Sequence, residues 1–336
     1  MKAFGYSKAT PTLGEHSLQA IELPDPVATG SDILVAVEAI SVNPVDTKIR
    51  ANVSPQSGYK VIGWDAVGTV KAVGENVSLF NVGDRVYYAG DLTRQGSNAQ
   101  LQLVDERIVG KAPASLTNAE AAALPLTSIT AWELLFDRLQ ITQSKDSKPA
   151  SVLVIGAAGG VGSILVQLAK QLTNLTVVGT AARQQSVQWL TDLGVDYVLD
   201  HSQDLNQQRI DAELDEFDYV ISLTHTDKHL DSIVEVIKPQ GKLALIDDPA
   251  SFDILKLKRK SISLHWEFMY TRSMFQTDDM IAQHQLLTTL SELVDKGIIK
   301  TTLGEHLGKI NVENILKAHA ILESHQARGK LVLEGF

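Results

Sequence analysis

The run Val152-Leu153-Val154-Ile155-Gly156-Ala157-Ala158-Gly159-Gly160-Val161-Gly162 carries the most definite chemistry in this chain. An apolar, β-branched stretch ends in three glycines, Gly156, Gly159 and Gly162, and a helical period follows. A strand, a tight turn and a helix start in that order receive a pyrophosphate. Gly156 permits the turn, Gly159 lets backbone approach the phosphates, and Gly162 lets helix and strand pack closely. Gly160 and Val161 open the helix, where N–H groups lack partners and the helix dipole is positive. The next apolar run, 175–182, contains Thr180 and leads to Arg183, with no acid before Asp192. A site for NAD places Asp or Glu at that strand end to bind ribose hydroxyls, whereas an Arg suits a 2′-phosphate. The residues therefore point to a dinucleotide, with NADP(H) favoured over NAD(H). Ordinary turns also use glycines and surface Arg often follows a strand; the strand-turn-helix context is what favours the dinucleotide.

The elements that must position this turn follow from size and pattern. A chain of 336 residues suggests two domains. Its 44% hydrophobic and 21% charged residues are the balance of a soluble globular protein. A net charge of -10 argues against a general nucleic-acid binder, while leaving room for a local basic pocket. No apolar stretch reaches membrane-spanning length, and the first residues lack a signal-peptide core, so the cytoplasm is the default location. The absence of cysteine excludes disulfides, thiol nucleophiles and Cys-ligated zinc. His225 and His229, four apart, could share a helix face, yet no third ligand accompanies them, and no metal is expected there.

Residues 1–125 read as mostly β, with alternation in 33–42, 64–74, 82–88 and 99–104 and Gly/Asn/Asp turns between, as in a small barrel with little regular helix. After Pro113, Thr117 or Asn118 caps a short helix that Pro125 interrupts, and a helix with Trp132, Leu135 and Phe136 follows. From Ser151 strands and helices alternate. Strands are expected at 152–155, 176–180, 197–199, 219–222, 243–246 and 262–265, with helices at 161–171, 184–193 and 229–237, the last stopped by Pro239-Gln240-Gly241. This is a doubly wound parallel sheet. A helix at 277–296, an extended 301–307, a helix at 312–324 and a strand at 329–333 complete the chain. That last strand is expected to return to the first domain. The fold class is α/β, with a β-barrel domain of residues 1–125 and 272–336 and a nucleotide domain of residues 126–271.

The motifs Ser41-Val42-Asn43-Pro44-Val45-Asp46, Gly63-Trp64-Asp65-Ala66-Val67-Gly68, Gly74-Glu75-Asn76-Val77, Gly83-Asp84-Arg85-Val86, the Gly156–Gly162 turn and Gly329-Lys330-Leu331-Val332-Leu333 span nearly the whole chain. On these it resembles the medium-chain dehydrogenases/reductases of the zinc-free quinone oxidoreductase type, including bacterial proteins labelled as a zinc-binding alcohol dehydrogenase family. The resemblance implies a GroES-like β-barrel catalytic domain and a Rossmann domain. Where the zinc enzymes carry a ligand Cys this sequence has Asn43, and where they carry a His-Glu pair it has Trp64-Asp65. Without the Lewis acid, alcohol oxidation loses its main means of stabilising an alkoxide. The implied chemistry is hydride transfer from NADPH to a quinone or an α,β-unsaturated carbonyl, independent of zinc. Alternatives are a reductase of another activated alkene, such as a substituted acrylate, and a non-catalytic NADPH-binding sensor.

The resemblance also implies roles. Arg183 and His201 hold the 2′-phosphate, Gly159, Gly160, Val161 and Gly162 the pyrophosphate, and Thr127 lies near the nicotinamide. Asn43 and Asp46 face the catalytic cleft, Tyr59 donates to the acceptor oxygen, and Lys330 contacts cofactor or substrate. Each has a plainer reading: Asn43 closes a turn, Asp46 caps one, Tyr59 is a rim aromatic, Trp64 fills space, and His201 is a surface residue. A homodimer is implied, through the edge strand near 262–265.

Overall fold

A computed structural model describes residues 1–336. The chain forms two compact units, Met1–Ile129 with Tyr270–Phe336, and Thr130–Met269.

In the first unit the strands are β1 (Lys2–Tyr6), β2 (Gln19–Glu22), β3 (Asp32–Val42), β4 (Lys60–Val61), β5 (Ala66–Val73), β6 (Arg85–Tyr88), β7 (Leu101–Asp105) and β8 (Val109–Lys111). β2, β1 and β4 form a small sheet, and the larger sheet is built on β3. One edge of β3 pairs with β5. Its other edge is divided between β7, along Asp32 to Ala36, and the strand at Lys330–Glu334, along Ala39 to Val42. The alternating burial of β3 gives way to continuous burial at its end, where the polar residues of interest begin.

A helix not expected from the sequence, α1 (Pro44–Asn52), follows β3 at once. Its signals were present: Asn43 takes an extended N-cap conformation and Pro44, with a preset φ and no N–H to waste, is the first helical residue. Two short helices, α2 (Asn118–Ala122) and α3 (Pro125–Trp132), are separated near Pro125 as expected, and α3 continues as a π-helical turn over Glu133–Arg138.

The second unit is a six-stranded parallel sheet of β9 (Ala150–Ile155), β10 (Leu175–Thr180), β11 (Tyr197–Leu199), β12 (Phe217–Ser222), β13 (Ile237–Leu245) and β14 (Ser263–Trp266), ordered β11-β10-β9-β12-β13-β14. The linking helices are α4 (Gly160–Leu172), α5 (Gln184–Asp192), α6 (Leu205–Asp211), α7 (Thr226–Val236) and α8 (Leu255–Lys258). β9 lies inside the sheet, where both faces are covered, and Val152, Leu153 and Val154 are fully buried. α7 ends at Val236, but Pro239-Gln240-Gly241 is taken into β13 with Gln240 at φ 64, so these residues kink a strand instead of only stopping a helix.

The chain returns to the first unit with α9 (Thr271–Phe275), α10 (Ala282–Asp295), β15 (Leu303–His306), α11 (Val312–Glu323) and β16 (Lys330–Glu334). The helix expected over 277–296 is α10, which starts five residues later than expected, and a separate short helix, α9, precedes it and ends where Gln276 takes the left-handed conformation at φ 45. β16 pairs antiparallel with β3, placing Leu331 opposite Val42.

Candidate functional site

In the second unit the glycine turn joins β9 to α4. Gly156 has φ +78, and its N–H donates to Thr180 Oγ1 at 3.1 Å. Thr180 is buried and shapes the turn from the neighbouring strand. Gly159 is the N-cap of α4 and provides no side-chain cap for the first-turn amides. A Cβ on Gly162 would stand 2.3 Å from Ala157 O, so a larger residue here would push the start of α4 off the turn that follows β9. The arrangement is an uncapped, sterically open helix start at the carboxyl end of a parallel sheet, which fits a dinucleotide pyrophosphate. Gly156, Gly159, Gly160, Val161, Gly162 and Thr180 are therefore gathered in one place.

Arg183 and His201 lie at the ends of neighbouring strands. Ala181 N–H donates to Leu199 O at 2.9 Å, and each site residue is two positions further on. Arg183 is exposed at the N-cap position of α5, and α5 is tied to α4 by Trp189 Nε1 donating to Ser163 Oγ at 2.8 Å. The exposed His201 ring meets His229 edge-on, with centroids 6.0 Å apart. Burial pushes His229 below the usual imidazole range, assisted by His201, His225 and Lys228 and opposed by Asp227. His225 and His229 do not share a helix face: His225 precedes α7 in a left-handed conformation, φ 49, and its Nδ1 lies 2.7 Å from Thr224 Oγ1.

The first unit holds a buried polar cluster at the junction of β3 and α1. Asp65 is at its centre. One carboxylate oxygen accepts from Ser41 Oγ at 2.7 Å and Asn43 Nδ2 at 2.8 Å, and lies 3.0 Å from the Lys330 ammonium. The other accepts the Leu126 backbone N–H at 2.7 Å. Lys330 also donates to Asn43 Oδ1 and to Val42 O. All these side chains are buried. Asp46 Oδ2 accepts the Asn43 N–H at 2.6 Å, as a residue in the first turn of a helix does, but Asp46 Oδ1 has no partner in the protein. Burial pushes the Asp46 carboxyl up to about 7; the Asn43 N–H and Lys330 oppose this, and Asp65 reinforces it.

The expected residues Asn43, Asp46 and Lys330 are thus brought together. Lys330 reaches inward, and a cofactor contact would cost it one of its protein acceptors. Thr127 is buried on α3, one residue past the Leu126 amide held by Asp65, and its hydroxyl donates to Leu124 O at 3.2 Å. Tyr59 stands outside the cluster, on a loop, half-exposed, with its carbonyl accepting from Gln95. Three members were not singled out as site residues from sequence: Ser41, Asp65 and Tyr270. Tyr270 is buried edge-on against Trp64, centroids 6.5 Å apart, and burial together with Asp46, Asp65 and Asp91 holds its phenol well above the usual range. Ser41 and Asp65 stood within recognisable motifs; nothing local marked Tyr270.

A doubly wound parallel sheet with a glycine turn at its carboxyl edge, in one chain with a β-rich unit, is a fold combination that dinucleotide-dependent oxidoreductases use. Residues 193–333 match the family described as zinc-binding dehydrogenase, and residues 29–122 match the alcohol dehydrogenase GroES-like domain. A zinc-type alcohol dehydrogenase-like protein of Staphylococcus aureus (strain MRSA252) is 41% identical over 99% of both chains. The crystal structure of a putative zinc-dependent alcohol dehydrogenase protein from Rhizobium etli CFN 42 superposes with a TM-score of 0.97 at 52% identity, covering 100% of this chain and 98% of that one. A 2-methylene-furan-3-one reductase of Solanum lycopersicum is 29% identical, over 90% of this chain and 71% of its own length. The chain belongs to the medium-chain dehydrogenase/reductase superfamily, among its zinc-type alcohol dehydrogenase-like members, and has the GroES-like and Rossmann folds of that superfamily.

The zinc of the family name does not fit these residues. The Trp64 indole N–H donates to Asp91 O at 3.2 Å and has no lone pair to offer a metal. Asn43 Oδ1 and Asp65 Oδ2 already face an ammonium, and the chain contains no cysteine. A nicotinamide dinucleotide does fit the glycine turn.

Proposed function

We propose that the protein is an NADPH-dependent, zinc-independent reductase of quinones or α,β-unsaturated carbonyls. The carrying observation is the carboxyl edge of the parallel sheet, where the glycine turn adjoins β10, which is followed at the N-cap of α5 by Arg183 and not by an acid. When bound, NADPH supplies a hydride to an electron-poor carbon of the acceptor. Gly159, Gly160, Val161 and Gly162 hold the pyrophosphate on the α4 N-terminus. Arg183, with His201 at the next strand end, pairs with the 2′-phosphate and selects NADPH over NADH.

On the acceptor side, the electron pair delivered to carbon appears on the carbonyl oxygen, and one proton completes the reduction, on that oxygen for a quinone and at the α-carbon for an enone. Asn43 and Tyr59 are assigned to orienting that oxygen, and Asp46, whose carboxyl burial pushes up to about 7, is assigned to supplying a proton beside Asn43. No Lewis acid is needed, because a conjugated acceptor spreads the charge that a simple alkoxide concentrates. The relative named for a methylene-furanone acts on a conjugated ketone, which supports this class.

We further assign a homodimer through the edge strand β14, whose last residue, Trp266, is exposed, as is Phe268 just beyond it, and a cytoplasmic location. No helix is long and apolar enough to cross a membrane.

The test is absorbance at 340 nm, the ordinary NADPH wavelength, with purified protein, NADPH and 1,4-benzoquinone or a small enone. Oxidation by either acceptor in the presence of a chelator supports the reading. Tight NADPH binding without turnover over a panel of quinones, enones and acrylates would instead favour a sensor.

A further inference from the structure

The Lys330 side chain is buried, and three protein acceptors surround its ammonium: Val42 O at 3.2 Å, Asp65 Oδ2 at 3.0 Å, and Asn43 Oδ1. The ammonium donates to Val42 O and Asn43 Oδ1, and Asp65 Oδ2 is its ion-pair partner. The acceptors come from the end of β3, the N-cap of α1 and the turn before β5. They converge because β16 pairs with β3 in a register that sets Leu331 against Val42. Every ligand of this cradle is an oxygen. The arrangement also dictates the Asn43 amide: its oxygen faces Lys330 while its NH2 donates to Asp65, and the flipped amide would point N–H bonds at a cation.

We propose that Lys330 is a resident cation: its ammonium occupies the place of a small inorganic ion in this oxygen cradle, neutralises Asp65, and bars zinc from the site. A buried carboxylate left without a positive partner is strongly unfavourable, so without the lysine Asp65 has to take up either another cation or a proton. A zinc ion on Asn43 and Asp65 would stand about one hydrogen-bond length from the ammonium. It would also find only oxygens where it favours nitrogen and sulfur. Lys330 thus adds a charge barrier to the lack of good zinc ligands at Asn43 and Trp64. With Lys330 removed, the cradle has the charge and hardness for ammonium or an alkali or alkaline-earth ion. The inference is separate from the hydride-transfer reading, since no measurement below uses activity.

The experiment compares thermal unfolding of the full chain and of Lys330→Ala in ammonium chloride and in tetramethylammonium chloride at equal ionic strength. Zinc uptake is measured by equilibrium dialysis. Wild type is expected to take up no zinc at this site and to melt alike in both salts. Lys330→Ala should melt lower and regain part of the loss in ammonium only, because tetramethylammonium is too large and has no N–H. Lys330→Arg should retain a cation and show no ammonium-specific gain. Three outcomes overturn the proposal: wild type binding one equivalent of zinc that Asp65→Asn abolishes, Lys330→Ala melting like wild type, or a lowered melt with no ammonium-specific recovery. If Lys330→Ala does not fold, the double variant Asp65→Asn/Lys330→Met decides. It should fold and ignore ammonium; failure to fold would show that neutralising Asp65 is not the role of the lysine.

Discussion

Asp65 accepts the backbone N–H of Leu126 at 2.7 Å, and so ties the start of α3 to the same carboxylate that holds Lys330. Asp65→Asn would leave the lysine buried beside a neutral amide and turn an N–H toward a donor on one side. Removing one partner of a buried ion pair costs roughly 3–5 kcal/mol, whereas replacing both costs far less. Urea unfolding of Asp65→Asn should show a loss of that order. A stability within about 1 kcal/mol of wild type, the size of an exposed pair, would contradict the buried pairing.

Asp46 links this cluster to pH. Its carboxyl is pushed up to about 7 from 3.8. The folded state therefore binds more protons than the unfolded chain between these values. The stability from a neutral Asp46 is fully present below pH 3.8, declines as pH rises, and is lost above about 7. Asp46→Asn keeps an oxygen to accept the Asn43 N–H but cannot ionise. Relative to wild type, the variant should gain in melting temperature between mildly acidic and mildly alkaline pH. A pH-independent difference between the two melting curves would refute it.

Arg183→Ala removes the charge assigned to the 2′-phosphate. NADPH should bind more weakly by ~2–3 kcal/mol, the range of a charge-assisted contact, while NADH changes little. Fluorescence titration with both cofactors distinguishes this from a general effect: equal losses would remove the phosphate assignment.

Gly162→Ala places a methyl 2.3 Å from Ala157 O. Backbone on both sides cannot yield cheaply, and overpacking of this kind costs about 1–3 kcal/mol. The variant should unfold at lower denaturant and lose dinucleotide affinity as the start of α4 shifts from the turn that follows β9. Unchanged titrations and unfolding curves would show that the close approach is not required.

His319 is fully buried on α11, and neither ring nitrogen has a hydrogen-bond partner in the protein. Burial, with Arg50 nearby, pushes the imidazole down to about 3. The unfolded chain takes up this proton near pH 6.5 and the folded chain does not, so stability is present above 6.5 and falls as pH drops toward 3. His319→Leu should flatten this acid limb in thermal melts; an identical acid limb would show that other groups set it.

The glycine turn was legible because all its parts are contiguous: an apolar strand, three glycines and an amphipathic helix. The alternation of strand and helix after residue 150 was legible for the same reason, since periodicity is a local property. The α1 helix was hidden by the strand-rich pattern around it, although Asn43 and Pro44 are good starting residues. Asp65 looked like a lost ligand position, and nothing in its neighbours pointed to a lysine from the last strand.

By itself, then, the amino-acid order determined the superfamily, the two kinds of fold and the glycine turn proposed to seat a dinucleotide, through motifs a few residues long. The tertiary structure decided what Lys330 does. It lies 287 positions from Asn43, and only the pairing of β16 with β3 brings its ammonium to the amide and to Asp65. Local sequence sets strands, turns and helix starts because these need only neighbouring dihedrals and side chains. The partner of a buried charge depends on strand register across the whole unit, which no local pattern records.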